Sequence, residues 1–124
     1  MPSYQVTSPT SLADELVCVV DVGASAEDNV TGSTSGKIFV IEVDNTKNRD
    51  SGAYLWVADA ASATVGSTAG DIKVFVPRGT KSKFIWADGH TYSSGVSLWV
   101  TTDNVTTSTS GPTGNVAIKM VVTA

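Results

Sequence analysis

Side chains that carry chemistry are scarce in this chain of 124 residues: it has one cysteine, Cys18, one histidine, His90, and three glutamates, Glu15, Glu27 and Glu42. A lone cysteine forms no intrachain disulfide, and inside the apolar run "ELVCVVDV" it reads as a small buried hydrophobe rather than a nucleophile. One histidine excludes a His-rich metal centre. No nucleophile elbow accompanies it for a Ser-His-Asp triad, so His90 reads as an exposed residue of a "DGHTY" turn. Basic residues are scattered and the formal net charge is −4, which argues against the basic stripe that phosphate binding needs and so against a nucleic-acid partner. No basic n-region opens the chain, and nowhere do about 18 apolar residues run together, so a soluble product made in the cytoplasm, with no membrane partner, is expected.

The remaining motifs are equally thin. Glycines sit singly in turns, and "GSTSGK", Gly32 to Lys37, lacks the spacing of a phosphate loop. Asp44 with Asp50, and Asp103 with Asn104, lack a full set of oxygen ligands for calcium and read as solvated turn acids. With Glu15 and Glu27 in expected loops, no carboxylate dyad for glycoside hydrolysis stands out. The sequons at Asn29 and Asn104 carry no weight in a Thr-rich chain without a secretory signal. The expectation is a protein with no catalytic residue, no metal site and no cofactor.

What is present is strand-forming sequence. Serine and threonine supply about a quarter of the residues, and period-two or continuous β-branched runs alternate with turn residues. The runs are Leu16 to Asp21, Lys37 to Asp44, Ala53 to Ala58, Asp71 to Val76, Ser82 to Trp86, Val96 to Thr101 and Asn115 to Thr123, with "YQVT" as a short eighth. They predict an all-β domain, a single antiparallel β-sandwich of about seven to eight strands. Residues 37–124 form its body. Residues 1–36 are expected to be an N-terminal arm with a candidate first strand, and Gly23 to Gly36 either a linker or an ordinary loop. Ser11 and Asp14 have capping-box spacing for one helical turn at most.

Local chemistry suggests the connections. Pro77 and Gly79 in "FVPRGTKSKF" predict a hairpin between the fourth and fifth runs, and Asp88-Gly89 predicts a turn after the fifth. Strand alternation puts Ile38 and Val40 on one face and Phe39, Ile41 and Val43 on the other. Ala53 to Ala58 is apolar on both faces, so either the strand is central and buried or Tyr54 and Trp56 face another subunit. Trp99 and Tyr92 are candidate stacking platforms for a glycan, with Trp99 the best candidate for an outward ring.

The stretch "VDNTKNRDSGAYLWVADAASATVGSTAGDIKVFVPRGTKSKFIW", followed by "TSGPTGNVAIKMVV", resembles small β-sandwich virion proteins of tailed bacteriophages, notably cyanobacterial and other aquatic phages. The resemblance runs from Lys37 to the end. It implies a jelly-roll-like, non-enzymatic capsid decoration or cement protein on the outer surface of the virion. Its partners would be the major capsid protein and copies of itself, as a trimer ahead of a dimer. On that reading the extended segment "SYQVTS", with Tyr4 and Val6, offers the capsid contact. The alternative is a head-fibre or tail module that binds a bacterial surface glycan through Trp99 and Tyr92.

Overall fold

β-branched and aromatic residues fill the strand runs, and turn residues end each of them, which is why the described residues fold into strands alone. The computed structural model describes residues 15–123. Its elements are β1 (Glu15–Val22), β2 (Gly36–Asp44), β3 (Ala53–Ala58), β4 (Ile72–Val76), β5 (Lys81–Tyr92), β6 (Ser97–Thr101) and β7 (Val116–Thr123). All pairings are antiparallel, in a four-stranded sheet of order β1-β7-β2-β5 and a three-stranded sheet of order β4-β3-β6. The inner faces share one apolar core: Ile41, Ile118 and Met120 from the first sheet meet Leu55, Leu98 and Val100 from the second, all essentially inaccessible. Burying each such side chain contributes about 1.5–3 kcal/mol, so this layer is the main source of stability. The protein is thus an all-β antiparallel sandwich, as its strand spacing predicts.

β1 belongs to the sandwich, paired with β7 at the edge of the larger sheet. Residues after it are not a free linker. They run beside β6, with Val100 N donating to Gly23 O (2.8 Å), a reciprocal Glu27–Leu98 pair (2.8 and 3.0 Å) and Val30 N donating to Val96 O (2.8 Å). This segment satisfies backbone groups that an open edge of β6 would expose.

Four local expectations are corrected. β4 and β5 do not form a hairpin: they lie in different sheets, and the Pro77–Thr80 turn carries the chain from one to the other. Asp88-Gly89 does not end a strand; β5 continues to Tyr92 through a bulge, where two steps along β2 (Ile38 to Val40) match five along β5 (Ile85 to His90). Gly89 takes φ of 80° there, and an added Cβ would lie 2.9 Å from the Lys37 side chain, so a non-glycine residue would be strained twice over. On β2 itself, Ile38 and Val40 face Val122 and Val121, so Phe39 is the extra residue of a second bulge. That shift of parity turns Ile38 into the same core as Ile41 and Val43. Finally, Cys18 is exposed, because β1 is an edge strand whose inward positions are taken by Val17 and Val19.

Candidate interaction surfaces

The end of the sandwich nearest the β2–β3 connection is held by two buried asparagines from "VDNTKN". Asn45 is fully buried, and its Nδ2 donates to Val76 O and Pro77 O, both at 3.3 Å, and to Ser51 O at 3.4 Å. Asn48 Nδ2 donates to Asn45 Oδ1 (2.8 Å) and to Gly114 O (3.1 Å), and Asn48 Oδ1 accepts from Gly114 N (2.7 Å). The backbone adds Gly79 N to Asn48 O (2.7 Å) and Asn45 N to Thr80 O (2.9 Å). Two side chains thereby fasten three connections, and among the described residues every buried side-chain nitrogen and oxygen has a hydrogen-bond partner. An open depression beside them is lined by Thr46, Arg49, Arg78 and Gly79. Asp44 lies at its approach: Thr46 donates to its Oδ1 through the hydroxyl (2.5 Å) and the backbone N–H (3.0 Å), which holds the carboxyl below its usual range. The depression presents positive charge on exposed side chains.

The aromatic candidates lie elsewhere than sequence places them. Trp99 is 1% exposed and stacks on Trp56, so it offers no outward ring. Trp56 is 4% exposed, its Nε1 donates to Thr101 Oγ1 (2.8 Å), and Lys73 Nζ sits 5.1 Å above its ring. Ala60, Ala63 and Val65 of the β3–β4 connection pack over this pair. The apolar outer face of β3 is therefore covered by the chain's own connection, and Trp56 is not available to a second subunit; Tyr54 is half-buried against Phe75 at 4.8 Å. Tyr92 is also a core residue, 1% exposed, its hydroxyl donating to Thr123 O (3.1 Å) and lying 3.2 Å from Ser33 Oγ. Neither Tyr92 nor Trp99 can stack on a glycan without unfolding. Tyr4 and Val6 lie outside the described residues.

The residues considered for catalysis and metal binding are dispersed. His90 is half-buried in β5 opposite Ile38, and Glu42 sits between Lys81 (3.6 Å) and Lys83 (3.9 Å) on the surface of the larger sheet. Asp103 accepts from Ser108 Oγ at 3.4 Å, and Asn104 Oδ1 accepts from Lys73 Nζ. Among the described residues no three His, Cys, Asp or Glu side chains come together as a metal site. Among the described residues Asp59 is the most heavily hydrogen-bonded acid. Its carboxylate accepts from the backbone N–H groups of Ser93 (2.9 Å) and Ser94 (2.8 Å) and from the Ser93 hydroxyl (3.3 Å), which ties the β3–β4 connection to the β5–β6 one. Burial pushes its carboxyl up, but these donors and Gly95 N–H outweigh that and hold it below the ordinary value.

One surface escapes sequence reasoning altogether. On the outer face of the four-stranded sheet, Leu16 pairs with Val121, Val121 with Val40, and Val40 with Ile85. Direct partners share a face, so one apolar residue from each strand forms a continuous row. Its two ends are open, Leu16 at 66% and Ile85 at 68% exposure. Alternation in β1 could have flagged Leu16, but the row depends on the register of strands up to a hundred residues apart. Comparison of the chain with protein-family models, with curated proteins and with solved structures finds no match.

Proposed function

We propose that this protein is a non-enzymatic virion component of a tailed bacteriophage, a decoration or cement protein that binds the assembled head and stabilises it. The observation that carries the reading is the asparagine-held end of the sandwich. The segments that resemble phage virion proteins, "VDNTKN", "VPRG" and "GPTGN", are the ones joined there by Asn45, Asn48, Gly79 and Gly114. Motifs far apart in sequence thus serve one mechanical purpose, fixing three connections of a small rigid body, which is what a shell-bound knob requires.

The strand order gives further support. Counting residues 23–30 as a vestigial strand beside β6, the sheets read as four over four, β1-β7-β2-β5 against 23–30-β6-β3-β4. We read this order as the double-sheet plan of a jelly roll, an architecture common in viral capsid domains. Fold analogy alone does not assign function, so the virion is where the proposal is tested. The partner in this reading is the major capsid protein, contacted through Tyr4 and Val6, and the location is the outer surface of the head.

Quantitative proteomics of purified virions tests it. Copies on the order of hundreds per particle are expected; a few dozen or fewer would overturn the cement reading in favour of a tail or fibre position, and absence from virions would overturn both. The glycan-binding alternative loses its proposed platforms with the burial of Trp99 and Tyr92.

A further inference from the structure

The two outer faces of the sandwich differ. That of the three-stranded sheet is covered at Trp56 and Trp99 by the chain's own connection and leaves Phe75 half-exposed on β4, whereas that of the four-stranded sheet exposes the row Leu16, Val121, Val40, Ile85 from all four strands. We propose that this outer face is a self-association surface through which two copies of the chain pack as a two-fold dimer.

The argument rests on what a two-fold operation does to this strand order. A rotation of 180° about an axis along the strands, midway between β7 and β2, exchanges β7 with β2 and β1 with β5. Such an interface is isologous and must be complementary to itself. The apolar row passes that requirement: Leu16 falls over Ile85 of the second copy, and Val121 over its Val40. The adjacent row passes it through charge. Cys18, Lys119, Glu42 and Lys83 are direct partners across the sheet. Under the rotation Lys119 falls over Glu42 of the second copy, Glu42 over its Lys119, and Lys83 over the uncharged Cys18. In the third row Asp44 falls over Ala117, whose small side chain leaves it room. No row sets like charge against like charge, as a face with one sign of charge on its central strands would.

The contact is small. Four strands about 4.8 Å apart and three rows about 7 Å apart make a patch roughly 20 Å on a side, about 400 Å² and below the ~800 Å² per partner of a standard interface, so the dimer is concentration-dependent. A two-fold pair replaces the trimer that the family resemblance suggests. The inference concerns the isolated chain in solution and does not depend on the virion reading.

Sedimentation equilibrium of the full chain, from low micromolar to near-millimolar concentration, tests it. A monomer–dimer equilibrium is expected. Ile85→Asp and Leu16→Asp should each weaken it at least tenfold with the melting temperature of the dilute monomer unchanged, because both side chains project outward, while Val105→Asp, at an exposed site elsewhere, should leave it intact. Lys119→Glu should also weaken it, and Lys119→Glu combined with Glu42→Lys should recover most of the loss, since the exposed pairs of Glu42 within one chain contribute little. A monomer at every concentration, a trimer, or a dimer indifferent to the Leu16 and Ile85 variants would overturn the proposal. So would a monomer whose melting temperature falls with Ile85→Asp, which would place residues 1–14 of the same chain on the row.

Discussion

Trp99 lies parallel to Trp56, its direct partner across β6 and β3, with ring planes 2° apart and centroids 6.2 Å apart. Both rings point away from the main core, yet both are buried, because the β3–β4 connection closes over them. The pair makes a second, smaller core on the outside of the sheet. Replacing Trp99 with Ala should therefore cost about 3–5 kcal/mol, the range for a large buried aromatic. Urea denaturation measures it, and a loss below about 1 kcal/mol would show that the overlying connection adapts freely.

Asn48→Ala should destabilise by about 1–3 kcal/mol for each buried group left without a partner. Those groups are Asn45 Oδ1 and the N–H and C=O of Gly114. Hydrogen exchange locates the damage: the Gly114 amide should exchange faster in the variant, while amides of β3 and β6 keep their protection relative to global stability.

Asp59 sets an acid limit. Its folded pKa is depressed below the ordinary 3.8, so its contribution is complete above the unfolded value and is lost as pH falls through the folded one. Thermal melts from neutral pH to pH 2 should show a steeper acid loss for the native chain than for Asp59→Asn, which is less stable at neutrality and flatter in acid. Parallel curves would mean that the serine N–H groups do not discriminate between the charged and neutral acid.

Removing residues 1–10 tests the contact assigned to Tyr4 and Val6. The truncated chain should melt within a few degrees of the intact one and fail to cosediment with assembled heads. Binding at full occupancy would move the contact to the sandwich.

The strands were legible in the sequence because each is a β-branched run closed by turn residues, and Ala53–Ala58 agrees to the residue. Partnership was not. Pro77 and Gly79 have the same turn chemistry whether a chain folds back within a sheet or crosses to another; Asn45, 31 and 32 residues away from the carbonyls it binds, belongs to the information that decides. Alternation assigned Phe39, Ile41 and Val43 to one face and missed the bulge that turns Ile38 inward. It also gives Trp99 its outward direction, yet direction does not reveal what lies on top, so a buried ring reads as a platform. The apolar row of the larger sheet was invisible for the same reason: its four members come from four separate strands.

The position of β1 against β7 also sets how the protein bears load. Glu15 lies opposite Val122, so the start of the first strand and the end of the last are neighbours at one end of the sheet. Tension applied between these two points opens the antiparallel pair like a zip, breaking its hydrogen bonds in succession rather than together. Force entering through the broad faces instead meets the interlocked side chains of two sheets. A molecule built this way yields easily when pulled between these two points and resists when pressed or sheared across its faces.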